Sequence, residues 1–210
     1  MMTHAASLGQ KRTYGIQAIL LKAAFPLVFA ALMAVSANAF IYLPFTPIPV
    51  TLQVLTVIFS AIMLGGKWAA ASQLIYIAMG FAGMPVFAGF MAGPAALMGP
   101  TGGYIMGFVL AAYITGSLAS GKYFNFLINK NGYLSAFIAG FSGLLIIYIL
   151  GGLHLCGFLY GFSPGKPLTD IIRSAWIMGI KPFIILDAAK ILAAIIILRQ
   201  GIAGHEDNKN

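Results

Sequence analysis

Long apolar blocks run the length of the chain, and each ends at glycine, proline or a charge. They fall at roughly 16–42, 51–65, 68–83, 101–120, 133–152 and 181–199, to be set against the ~20 apolar residues that carry a helix across a bilayer. The second and third blocks are short by that measure. Such spans either tilt little or have their ends shielded by neighbouring loops. Gly65-Gly66 predicts a tight turn between them. The pattern therefore predicts an all-α, polytopic membrane protein: a bundle of six transmembrane helices forming one integral domain over residues 1–210. There is no internal repeat and no low-complexity tract.

Composition agrees with the pattern. Hydrophobic residues make up 60% of the chain and charged residues only 8%, whereas a soluble domain carries about 25% charged residues. Mean hydropathy is +0.95. The net charge of +8, from twelve Lys+Arg against four Asp+Glu, would suggest nucleic acid in a soluble protein. Here the cations are spread thinly between apolar runs, so they read as topology signals and nucleic acid is excluded as a partner. With the N-terminus in the cytoplasm, Lys11, Arg12, Lys22, Lys67, Lys122, Lys130, Arg199 and Lys209 lie inside. Lys166, Arg173 and Lys181 lie outside, and Lys190 falls within a span. The excess of inner cations predicts that both termini are cytoplasmic. Ala37-Asn38-Ala39 has the form of a signal-peptidase site, but the first block is read as a retained membrane helix. Thr169–Trp176 predicts a short amphipathic helix at the outer interface. Cys156 is the single cysteine, so no intramolecular disulfide forms.

Asp187 and Lys190 carry the most chemical information. Asp187 is the only acidic residue inside a predicted span, and Lys190 follows three residues later on the same helical face. Ionisable groups at that depth are costly and mark substrate or ion pathways. The bland alternative is a neutralising pair that ties the last span to the bundle. A second feature is the charge-free outer connection 84–100, dense in glycine and leading to Gly99-Pro100-Thr101-Gly102-Gly103-Tyr104. The fourth span starts there, so its free N–H groups and positive dipole end suit a carboxylate; the alternative is a plain reentrant turn. No Gly-Lys-Ser/Thr follows, which excludes a phosphate loop.

Third, Pro44-Phe45-Thr46-Pro47-Ile48-Pro49 makes a stiff connection to Thr51, a potential cap, and Gln53 in the first turn of the second span. Gln53, the Gly99–Tyr104 turn (Gly102 included) and the Asp187/Lys190 pair are expected to converge on one small pocket. On the first span, Ala30 and Ala34 place small residues at i and i+4, which suits close packing, either within the bundle or against a partner helix. His4, His154 and His205 lack metal-ligand spacing. No Gly-x-Ser-x-Gly or His-Glu-x-x-His motif occurs, so neither an enzyme nor a cofactor is expected.

Four segments resemble the BioY family: Pro47–Gln53, Gly83-Met84-Pro85-Val86-Phe87-Ala88-Gly89, Gly99–Tyr104, and Lys181-Pro182-Phe183 with Asp187 and Lys190. BioY proteins are the biotin-binding S components of energy-coupling-factor (ECF) transporters. The resemblance implies a plasma-membrane protein of six helices that captures biotin from outside. It implies that Asp187 and Lys190 meet the ureido ring and that backbone near Pro94 and Gly99 meets the valerate carboxylate. Phe87 or Tyr104 would then cover the thiophane ring. It implies that the Ala30/Ala34 surface docks to the ECF transmembrane coupling subunit, with ATP hydrolysed on separate ABC-type ATPase subunits. The alternative is a self-sufficient ion-coupled transporter of a small carboxylate-bearing solute, with Asp187 as its proton or cation site.

Overall fold

The computed structural model describes residues 24–119 and 132–207, and the predicted span residues 16–23 and 120 lie outside them. In chain order the elements are α1 (Ala24–Asn38), a two-residue strand pair β1 (Phe40–Ile41) and β2 (Val50–Thr51), α2 (Gln53–Leu64) and α3 (Gly66–Phe81). A 3₁₀ turn at Ala88–Phe90 and a six-residue helix α4 (Gly93–Met98) precede α5 (Gly102–Ala119). Then come α6 (Gly132–Phe162), α7 (Leu168–Gly179) and α8 (Ile184–Asp207). The strands pair antiparallel, with Phe40 opposite Thr51 and Ile41 opposite Val50. The architecture is otherwise all-α.

α5 and α6, of 18 and 31 residues, are each long and apolar enough to cross a membrane. At 1.5 Å per residue, α6 reaches about 46 Å. Leu27, Val28, Leu74, Ile149 and Ile196 are among many large apolar side chains left outside, an arrangement that water would penalise and lipid accepts. The chain is a polytopic membrane protein.

Differences from the predicted boundaries have local causes. The fifth span was expected to stop at 152, because Gly151-Gly152 reads as a break. Instead the helix continues to Phe162, since Gly151 makes room for the Tyr104 ring and Gly152 faces Ile180. The last span begins at Ile184, not 181, which puts Asp187 in the first turn of α8. The first ends at Asn38 within the described residues, short of the expected 42, because Phe40 turns into the strand pair. The predicted amphipathic helix forms over Leu168–Gly179, burying Ile171, Ala175 and Gly179. In the 84–100 connection, Pro94 stands in the first turn of α4, where its missing N–H costs nothing.

Packing relies on small residues, as membrane bundles do. α5 lies along α6 and also touches α2 and α3. Gly143 accepts the Thr115 side chain, whose hydroxyl donates to the Ala139 carbonyl at 3.1 Å. The turn between α2 and α3 rests on Gly65, at φ 76°, a backbone conformation that favours glycine. On α1, Ala30, Met33 and Ala37 are fully buried. Of the Ala30/Ala34 pair, Ala30 faces the chain's own core and Ala34 packs half-buried against it. The outward face of α1 carries Leu27, Val28, Leu32 and Val35.

Candidate functional site

The starts of α2, α5 and α8 meet at one cavity of about 590 Å³, including its open mouth. Of the expected site residues, Gln53, Tyr104, Asp187 and Lys190 line it together. Thr101 lines it as well, so the anticipated convergence of the three helix starts is present in space. Ile105, Phe108, Ile147 and Phe183 supply an apolar wall.

The polar centre is built around Asp187. Its side chain is 5% exposed and its Oδ1 lies 2.6 Å from Lys190 Nζ. Oδ2 accepts the phenolic hydrogen of Tyr148 at 2.8 Å. The i, i+3 spacing brings acid and base to one face of α8. The carboxylate also sits in the first turn, where the positive end of the helix dipole favours an anion. Each carboxylate oxygen offers two lone-pair directions, so Asp187 retains acceptor capacity after both bonds. Tyr148 was not anticipated from sequence. Its signal is a phenol embedded in the aliphatic run Leu144–Leu150, where an unpaired hydroxyl would be costly. Phe108 was likewise unanticipated.

Gln53 lines the same cavity from the start of α2. Its Nε2 donates to Tyr76 Oη at 3.0 Å, and its Oε1 accepts from Thr51 Oγ1 at 3.0 Å. Leu52 is the N-cap and makes no side-chain bond. Thr51, one residue earlier, takes the Gln53 N–H at 3.2 Å, so the predicted capping threonine acts from one position outside the helix. Tyr104 donates to the Gly179 carbonyl at 2.9 Å, which joins α5 to the end of α7. The connection ahead of β2 closes the same side. Thr46 donates to the Met178 carbonyl at 2.6 Å and accepts the Ile48 N–H at 3.1 Å, placing Ile48 and Pro49 in the lining.

The remaining expected residues stand away from the lining. Phe87 is fully buried, edge-on to Tyr76 at 5.5 Å between centroids. Its ring fills the space where Gly80 lacks a side chain, so it plugs the top of α3 and Ala88 reaches the cavity instead. Pro94 is exposed, because α4 carries it outward. The Gly99 carbonyl accepts from His154 Nε2 at 2.9 Å and from the Gly102 N–H at 3.1 Å. Gly102 lies against the Leu97 carbonyl and His154. These glycines let α4, α5 and α6 approach closely, and the cavity meets the segment at Thr101.

Comparison with known proteins places this arrangement. The BioY family model matches residues 7–205. The chain is 39% identical over 170 residues to the probable biotin transporter BioY of Pyrococcus horikoshii, covering 81% of this chain and 89% of that one. It is 38% identical over 173 residues to the biotin transporter BioY of Thermotoga maritima, covering 82% and 90%. Among solved structures, the S-component for biotin from an ECF-type ABC transporter superposes with a TM-score of 0.71. That match covers 88% of this chain and 92% of that one at 22% identity, and it shows a shared fold. With the family model spanning nearly the whole chain, this protein belongs to the BioY family.

Proposed function

We propose that the protein is the biotin-binding S component of an ECF transporter in the plasma membrane. It takes up biotin at the outer face and delivers it inward with a transmembrane coupling subunit and ABC-type ATPases. The observation that carries this reading is the Asp187–Lys190–Tyr148 centre in a cavity whose walls are largely apolar. Biotin offers a urea with two N–H donors and one oxygen acceptor, an apolar thiophane ring and an anionic tail. Asp187 has lone pairs left for the two urea N–H groups, and Lys190 has hydrogens left for the urea oxygen. Phe108, Phe183, Ile105 and Tyr104 provide walls for the ring. The tail carboxylate then points toward Thr101 and the start of α5, where the helix dipole favours negative charge.

The same reading assigns one membrane domain with six spans (α1, α2, α3, α5, α6 and α8) and cytoplasmic termini. Support comes from the inner excess of Lys and Arg in the sequence. In a Cys156→Ala background, a thiol at Lys166→Cys should label with an impermeant maleimide from outside. One at Lys67→Cys should label only after permeabilisation, and the opposite pattern inverts the topology.

Calorimetry of the purified chain with biotin tests the substrate. Folded wild-type protein that takes up no biotin would sink the assignment. Unchanged affinity in both Asp187→Ala and Lys190→Ala would move the site elsewhere.

A further inference from the structure

A helix that stops leaves its last carbonyls without N–H partners, and the sequence after α7 makes this acute. In a continuing helix the Met178 carbonyl would receive the N–H of residue 182, but Pro182 has none. The Gly179 carbonyl would receive the Phe183 N–H, which goes to the Ile180 carbonyl at 3.0 Å instead. Side chains from elsewhere in the chain take both acceptors. Thr46 donates to Met178 at 2.6 Å and Tyr104 to Gly179 at 2.9 Å. The sense of the Thr46 bonds is fixed at both ends, since a backbone N–H can only donate and a carbonyl can only accept. Thr46 Oγ1 therefore receives the Ile48 N–H at 3.1 Å and sends its own hydrogen to Met178. Pro47 and Pro49 lack N–H groups, so Ile48 holds the one backbone donor of that stretch. A single buried hydroxyl thus shapes the turn at Pro47–Pro49 and fastens it to α7.

We infer that the C-terminal end of α7 is a shared anchor for two walls of the ligand cavity, and that Thr46 is a positioning residue acting on the ligand through Ile48. Ile48, Tyr104 and Gly179 line the cavity, whereas Thr46 stands behind it. Gly179 makes the double approach possible, because a side chain there would strike the Tyr104 hydroxyl and touch Ile48. With both walls bonded to neighbouring carbonyls, a shift of the end of α7 moves them together. The inference rests on the biotin reading above and deepens it, because it names the element that sets two of the walls around the ligand.

Calorimetry with biotin on the full chain tests this, with Tm recorded for every variant. Thr46→Val keeps the shape and removes both bonds; it should weaken binding about tenfold, the size of one buried hydrogen bond. Thr46→Ser keeps the hydroxyl and should bind like wild type. In an Ile48→Ala background Thr46→Val should still lower Tm, but its effect on affinity should shrink to within about twofold, since the positioned side chain has gone. Tyr104→Phe should weaken binding as well. The loss in the Thr46→Val, Tyr104→Phe double variant should fall short of the product of the single losses, because either change already frees the shared anchor. A tenfold loss that persists in Ile48→Ala, or a Thr46→Val variant that binds like wild type, overturns the positioning role. Single losses that simply multiply overturn the shared anchor. Should Thr46→Val fail to fold, Thr46→Ala, which sets no methyl group against the Met178 carbonyl, decides through the same cycles. Wild type that binds no biotin defeats the transport reading and this inference with it. Biotin binding with independent losses defeats only this one.

Discussion

Tyr148 on α6 donates its phenolic hydrogen to Asp187 on α8 at 2.8 Å, across 39 residues of sequence. The bond ties α6 to α8 at the level of the cavity. It also leaves the carboxylate braced from both sides, because Lys190 holds the other oxygen at 2.6 Å. Asp187 therefore has a fixed orientation before any ligand arrives. A preset acceptor loses less conformational freedom on binding than a mobile one.

Tyr148→Phe isolates that brace, since it removes one oxygen and keeps the ring. A hydrogen bond to a charged group is worth about 1.5–3 kcal/mol. The variant should lose stability within that range and bind biotin about tenfold or more weakly. Denaturation of the purified protein and calorimetry check the two effects. Full affinity in a folded variant would show that Asp187 needs no brace.

The ion pair itself makes an asymmetric prediction. Removing one partner leaves the other charge in a poorly solvated site, at a cost of about 3–5 kcal/mol, whereas replacing both by neutral groups of similar size costs little. Asp187→Asn and Lys190→Met should each lower thermal stability more than the double variant does. All three should bind biotin poorly, because the urea loses a partner in each case. A double variant less stable than both singles would contradict the pairing.

Much of this was legible in the residues. Asp187 and Lys190 stood out because charge is rare in an apolar span, and Gln53 and Tyr104 because helix starts carry the polar ends of membrane helices. Tyr148 did not stand out, since one more tyrosine in a chain of nine carries no marker until its partner is seen. The resemblance implied Phe87 or Tyr104 as the cover of the thiophane ring; the Phe87 ring fills the space at Gly80, and spacing along the chain does not reveal which space a ring occupies. Ala30 left two readings open, because small residues at i and i+4 serve internal and external packing alike; its burial against the core is visible only in three dimensions.

Phe87→Leu separates packing from binding. Shrinking a fully buried ring that packs against Tyr76 should cost a few kcal/mol of stability through the cavity it leaves. Affinity for biotin should fall less steeply, and only through a loosened Tyr76. A variant of unchanged thermal stability whose affinity drops a hundredfold would restore Phe87 to the ligand.

Gly151 offers the reverse case, a backbone position with a direct hold on the cavity. A methyl group there would run into the Tyr104 ring. The ring cannot swing freely aside, because its hydroxyl is bonded to the Gly179 carbonyl. Gly151→Ala should therefore cost about 1–3 kcal/mol, the usual penalty for overpacking, and push Tyr104 toward the space where the ligand's ring would lie. Affinity should fall with stability. Adding Tyr104→Ala removes the clash, so in that background Gly151→Ala should no longer destabilise. Binding should nonetheless stay weak, because the wall that Tyr104 supplies has gone. Recovery of affinity in the double variant would show that Tyr104 merely fills space between α5, α6 and α7.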